Sequence, residues 1–310
     1  MTLRMFRILR FSIGLLLAAV SVSGFASTFI VGVALTKSAN VSPEVLACLR
    51  FVIASAVMAV PLLASSHERA RLRGITRRDV VSILWLGPVG TSLMAWFVFL
   101  GCARVSTANA SMADALTPIM IFLASFVKTR RAHVSELFAL ACGLAGASLV
   151  IQIVTLDGIA LTAYSMGDVY IMLAAATWAV YTVYGHETIA HLGAGLFTCL
   201  TMAAGAAALG VFLPFLDLSW PATPQAWGLV FVLGFVSTLL PFWTWNEAQK
   251  FLPMSVLGIC AYFTPVVAIL LGIVFLGENV TPLQWLGTAF VVLSGVLAVG
   301  PSATARRHVR

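Results

Sequence analysis

A carboxylate stands inside an apolar run of this 310-residue chain, at Asp114. Thr107, Ser111, Asp114 and Pro118 follow at spacings of four, three and four, which puts them on one helix face. An acid in hydrocarbon is costly, so such a residue faces a cavity or a partner. Two chemistries suit Asp114: holding the amino group of a solute, or carrying a coupling proton. The competing reading is an ion pair with Arg50 or Arg104 that only locks helices together. Pro118 lacks a backbone N–H and frees a carbonyl that a cavity can hydrate, and Pro265 lies in an equivalent Thr-Pro pair further on.

Aromatic side chains form a second constellation. Tyr170, Ala174, Thr177, Tyr181 and Tyr184 recur at helical spacing, with Trp178 beside them. Trp96 and Trp243 occupy matching places in two similar stretches, and Tyr262 precedes Pro265 by three residues. Together with Asp114 and Ser111, Trp96, Trp178, Tyr181, Trp243 and Tyr262 are the candidates to line a solute cavity. Packing between helices is the alternative for the aromatic residues, and Trp220, Trp227 and Trp285 read as an interfacial belt. Asn246 and Glu247 are candidates for an inner vestibule.

Other chemistries find little support. The five histidines, His67, His133, His186, His191 and His308, lack ligand spacing, and the five cysteines stand singly. There is no GxxxxGK[ST] stretch for a nucleotide. No metal and no cofactor is expected, and an enzyme is not the expected class.

The elements that must position these residues are helices in a bilayer. Hydrophobic residues make up 61% of the chain and charged ones 9%, with a mean hydropathy of +1.02, too little polar surface for a soluble globule. Apolar windows of membrane-crossing length fall at about 11–35, 43–64, 80–102, 106–127, 134–154, 167–186, 193–214, 226–248, 253–276 and 282–300. The start resembles a leader peptide, yet the apolar run continues to Leu35, so an uncleaved first span is expected. Of 18 Lys and Arg, all but Lys37, Arg50 and Arg104 fall on one side if the N-terminus is cytoplasmic. Both termini are therefore placed in the cytoplasm. The net charge of +7 follows from this topology and does not call for nucleic acid.

The chain is doubled. LGPVGTSLMAW at 86–96 returns as LGFVSTLLPFW at 233–243, an offset of 147 (233 minus 86), and the same offset carries Thr117-Pro118 onto Thr264-Pro265. Five spans per copy is odd, so the copies must insert in opposite senses. Their charges agree: HERARLRGITRRD in the first copy corresponds to LDLSWPATPQAW in the second, and Arg131 aligns with Glu278. The expected fold is an all-α integral membrane protein of ten transmembrane helices in two inverted five-helix repeats. The first repeat covers 11–154 and the second 167–300, between a cytoplasmic N-terminus (1–10) and tail (301–310) and joined by a periplasmic linker (155–166). Gly143, Gly146, Gly287 and Gly295 read as close packing between the last spans of the copies. A homodimer contact is their second reading, and the chain could equally stand as a monomer.

SPEVLACLRFVIAS (42–55, with Arg50), ARVSTANASMADALTPIMIFLASF (103–126), GDVYIMLAAATWAVYTVY (167–184) and AYFTPVVAILLGIVFLGENVTPLQWLGTAFVVLSGVL (261–297) resemble the ten-helix EamA-type branch of the drug/metabolite transporter superfamily. The resemblance implies a small-solute transporter of the bacterial inner membrane, commonly an exporter of amino acids or related metabolites, with spans 1, 3, 4, 6, 8 and 9 lining its pathway. Partners are then a small-molecule solute, the lipid bilayer and, through Asp114, coupling protons. An importer or facilitator of another metabolite is the alternative, with a membrane-embedded enzyme or accessory protein as the other class. The chain departs from the family at Arg131, where an acid is common. Within the chain, Asp114 has Ala261 as its counterpart.

Overall fold

The apolar runs form helices, and the first of them is the longest among the described residues. The computed structural model describes residues 3–104, 116–130, 134–150, 154–155, 158–159, 165–264, 266–267 and 281–305. Helix α1 (Leu3–Val33) runs on through a π-helical turn, Ala34–Ser38. Pro43 in the first turn opens α2 (Pro43–Ala64), where its missing N–H has no helical partner to lose. The short α3 (Ser66–Arg73) follows, its first turn capped by the Ser65 hydroxyl, which accepts from the Glu68 N–H at 3.4 Å. This polar helix lies within the basic stretch HERARLRGITRRD, between two of the expected spans.

Capping boxes start two long helices, because a side-chain oxygen satisfies the orphan N–H groups of a first turn. Thr76 and Asp79 begin α4 (Arg77–Cys102), and Ser165 and Asp168 begin α7 (Met166–Leu192). Between them lie α5 (Thr117–Thr129), α6 (Val134–Val150) and the antiparallel pair β1 (Val154–Thr155) and β2 (Gly158–Ile159). Two residues per strand are too few to show alternation in a sequence. After α7 come α8 (Ala194–Gly210), α9 (Pro224–Ala248), α10 (Met254–Cys260) and α11 (Pro282–Ala305).

Among the described residues, six segments are long and apolar enough to cross a bilayer: Ile8–Ser38, Pro43–Ala64, Arg77–Cys102, Met166–Leu192, Ala194–Phe215 and Pro224–Ala248. Thr117–Thr129, Glu136–Gly146 and Trp285–Ser294 are shorter apolar helices. The fourth expected span is described only from Leu116 onward, and in the ninth the described helix is Met254–Cys260.

The doubling is visible in the backbone. A π-helical stretch interrupts α4 at Pro88–Leu93 and another interrupts α9 at Phe235–Leu239, and both begin at the same place in the repeat (235 minus 88 is again 147). Helix packing follows the same pairing. α1 lies on α9 and α7 on α4, so the first helix of each copy packs on the third of the other. α2 lies on its counterpart α8, and α6 on its counterpart α11.

Glycines allow these approaches, as small residues do between membrane helices. A Cβ on Gly87 would stand 2.8 Å from the Thr201 carbonyl oxygen of α8. One on its repeat partner, Gly234, would stand 2.7 Å from Ile53 of α2. One on Gly146 of α6 would meet the Gly287 carbonyl oxygen of α11 at 2.7 Å.

Candidate functional site: a central cavity with a polar inner end

The repeat places Thr117 and Thr264 at equivalent positions, and both line one cavity in the middle of the bundle. α1 contributes Val22, Phe25, Thr28 and Phe29, α2 contributes Arg50, and α4 contributes Met94 and Val98. Ala174, Ala175 and Trp178 come from α7, Trp245 from α9, and Ala261 from the turn after α10. Elements of both copies thus surround one space. Its free interior is about 60 Å³, room for a few waters, so admission of a solute requires the helices to part.

Rings form one wall. Phe25 meets Trp178 edge-on at 5.1 Å, and Trp178 meets Phe242 edge-on at 4.8 Å and Trp245 at 5.7 Å. Trp178 also stacks on Tyr181 at 5.3 Å with 19° between the planes. Edge-to-face and offset arrangements match the ring quadrupoles and hold such a wall rigid.

Arg50 supplies the cavity's charge. It is 1% exposed. Its Nε donates to Thr238 Oγ1 at 2.7 Å and its Nη2 to the Ser237 carbonyl at 3.4 Å. The π-helical stretch of α9 provides both acceptors, and Thr238 Oγ1 itself donates five residues back to the Leu233 carbonyl at 2.7 Å. Thr28 of α1 donates to the same Ser237 carbonyl at 3.1 Å. The guanidinium carbon sits 5.0, 5.5 and 6.0 Å from the ring centres of Phe51, Phe99 and Phe242, a cation–π cradle. Its Nη1 is buried without a hydrogen-bond partner, and no carboxylate pairs with Arg50 among the described residues.

Toward the Arg-rich end, a hydrogen-bonded network closes the space below the aromatic wall. Asn246 Nδ2 donates to Tyr181 OH at 2.9 Å and to Thr198 Oγ1 at 2.8 Å. Tyr181 OH lies 3.2 Å from Thr201 Oγ1, whose own proton goes to the Phe197 carbonyl. Gln249 Nε2 donates to Asn246 Oδ1 at 3.1 Å, and Trp245 Nε1 to Thr182 Oγ1 at 3.2 Å. Beyond Gln249 lies a wide depression of about 620 Å³, bordered by Arg71, His186, Gly193 and Lys250.

Ion pairs ring the same end. Glu187 of α7 binds Arg78 of α4 at 2.6 Å and Lys128 of α5 at 3.2 Å. His191 Nδ1 lies 2.9 Å from Asp79 Oδ2. A separate groove of about 240 Å³ opens sideways between α5, α6 and α10, lined by Pro118, Phe122, Glu136 and Ser255 among others.

The residues proposed from sequence scatter among these features. Trp178 lines the cavity, and Tyr181 belongs to the network beneath it. Trp96 turns to Glu44, donating to its Oε1 at 2.9 Å. Trp243 is 43% exposed and faces outward, because Trp245 on the same helix takes the inward position. Tyr262 is buried against α6, its hydroxyl donating to the Leu140 carbonyl at 3.1 Å beside Gly143. Pro118 opens α5 and borders the side groove. Asp114, Ser111, Thr107, Pro265, Arg131 and Glu278 lie outside the described residues.

Arg50, Trp245, Thr117 and Thr264 line the cavity without having been proposed for it, and Gln249 was missed in the network. A signal existed: Phe242, Trp245, Asn246 and Gln249 are spaced three, one and three, one helix face. Among the described residues no group of three metal-ligating side chains occurs.

A duplicated helical bundle around one central cavity is the architecture of a membrane transporter. The profile of the EamA-like transporter family matches residues 12–152 and again 165–300, and the chain belongs to that family, one of transporters and not of enzymes. It is similar to the uncharacterized transporter YyaM of Bacillus subtilis (strain 168), with 25% identity across 84% of this chain and 85% of that one. It is also 25% identical, across 84% of each chain, to a probable terminal-alkyne amino-acid exporter of Streptantibioticus cattleyicolor. One solved crystal structure superposes with a TM-score of 0.68 at 23% identity, covering 94% of this chain and 98% of that one. That likeness concerns the fold.

Proposed function

We propose that this chain is a secondary transporter that exports amino acids or related small metabolites across the bacterial inner membrane by alternating access. The observation that carries this reading is the central cavity bordered by equivalent residues of both copies, Thr117 and Thr264, and closed at the Arg-rich end. Ten transmembrane helices in two oppositely inserted repeats, at 11–154 and 167–300 with a linker at 155–166, would let one half rock against the other around that cavity. The placement of Lys and Arg supports a cytoplasmic location for both termini and for the Arg-rich end. The export direction draws on the amino-acid exporter of Streptantibioticus cattleyicolor. Asp114 is the proposed coupling residue, taking up a proton or the amino group of the solute.

Proteoliposomes test this with labelled amino acids and an imposed pH gradient. Concentrative flux that disappears in Asp114→Asn is the expected result. Flux that equilibrates without the gradient and survives Asp114→Asn would make the protein a facilitator and remove Asp114 from the mechanism. Absence of flux for every solute would overturn the transport reading for this chain.

A further inference from the structure

The buried cation of the cavity has donors left over. A guanidinium carries five N–H donors, and among the described residues Arg50 spends two of them, on Thr238 and Ser237. Nη1, with two N–H groups, is buried and unpartnered. An uncompensated charge in the middle of a membrane protein is expensive, and such residues stand where they meet a counter-charge. The described residues supply none: every described acid in an ion pair lies toward the Arg-rich end, on Arg71, Arg78, Lys128, His191 or Lys250. Phe51, Phe99 and Phe242 face the cation with their π-systems, which attract it without neutralising it.

The surroundings fix the orientation of the group. The π-helical stretch of α9 holds Nε and Nη2 in place, so the remaining edge of the guanidinium is positioned before any ligand arrives. Trp178, Trp245 and Phe25 line the same cavity, offering apolar surface within reach of that charge. This arrangement fits a molecule with one end anionic and the other apolar.

We propose that Arg50 is the anion receptor of the cavity, donating from Nη1 to the carboxylate of a small amphipathic solute whose apolar part lies against Trp178 and Trp245. The assignment rests on the transport reading and narrows it: the cargo carries a carboxylate, and a neutral amide or an amine lacking an acid is a poor substrate. Because free space in the present conformation holds only a few waters, the receptor engages as the helices part.

Thermal unfolding of the purified full chain in detergent tests it, with phenylacetate, 4-phenylbutyrate and indole-3-acetate each set against its own amide and with inorganic phosphate alongside. The expected result is protection by the carboxylates at concentrations about tenfold or more below those their amides require, the size of a charge-assisted hydrogen bond. This comparison needs no variant. Arg50→Gln should abolish the difference, and Arg50→Lys should retain part of it. Equal protection by acid and amide, no protection by any acid, or acid protection unchanged in Arg50→Gln overturns the proposal. Protection by phosphate alone overturns it as a carboxylate site. Protection by acids that emerges only in Asp114→Asn would make Asp114 the resident partner of Arg50 and overturns it as well. Flux of amines or neutral solutes that survives Arg50→Gln would leave the transporter standing with the receptor refuted, so the two failures are distinguishable.

Discussion

Asn246 is fully buried and makes three side-chain hydrogen bonds, to Tyr181, Thr198 and Gln249. Asn246→Leu keeps a similar volume but strands the Thr198 hydroxyl, the Gln249 amide and the acceptor side of Tyr181 OH. Each buried polar group left without a partner costs roughly 1–3 kcal/mol, so unfolding experiments should show a loss of about 2 kcal/mol or more. A loss below about 0.5 kcal/mol would mean that water already satisfies the network. The tryptophans separate by the same reasoning. Trp178→Ala removes the centre of the aromatic wall and should weaken solute protection about tenfold or more, whereas Trp243→Ala, on the outer face, should leave it unchanged. Sequence made the two look alike. Trp243 became a candidate as the repeat partner of Trp96, and a repeat match says that two residues share a position, not which way the position faces. The charge was harder still: Asp114 stood out as an acid in an apolar run, while Arg50 needed the acceptors from α9, 187 and 188 residues away, to be recognised as held and half-used.

At the scale of elements, the legible features were those with a local cause. Apolar run length gave the six long spans, and the capping residues Thr76 and Ser165 stand where two of them begin. The repeat offset located twin segments, but not that each would contain a π-helical stretch, because no residue pattern in the sequence marks i→i+5 pairing. The glycines of the sixth and eleventh helices were legible as packing residues, and their contact is close. In Gly146→Leu the new side chain would be driven into the Gly287 carbonyl oxygen and the Val291 nitrogen of α11, both 2.7 Å from where its Cβ would stand. Overpacking of this kind costs roughly 1–3 kcal/mol. Gly228→Ala on α9, where nothing lies within 4 Å, should stay within about 0.5 kcal/mol of the parent. Equal melting temperatures for the two variants would show that α6 and α11 separate freely.

For the molecule as a whole, what matters is how firmly the Arg-rich end is held, since the proposed alternating access would require this end to open and the opposite end to close in turn. Two kinds of contact hold it, and their magnitudes differ. Glu187 is half exposed, with side-chain accessibility of 54%, and pairs of that kind contribute roughly 0–1 kcal/mol. The buried Asn246 network contributes more, because opening it exposes or strands several polar groups together. Glu187→Gln should therefore shift the balance toward the open form by no more than about fivefold, and Asn246→Ala by well over tenfold, following the tenfold change that each 1.4 kcal/mol brings. A cysteine placed at Ala175, which lines the cavity, reports the balance in a background where Cys48, Cys102, Cys142, Cys199 and Cys260 are replaced. Its rate of labelling by an impermeant maleimide, applied from the side on which the Arg-rich end lies, should rise slightly with Glu187→Gln and strongly with Asn246→Ala. The reverse order would place the closing free energy in the surface ion pairs, and the core network would then serve stability and not gating. Labelling that depends on Glu187 should also grow with ionic strength in the parent protein, since salt weakens exposed pairs and leaves buried hydrogen bonds nearly untouched.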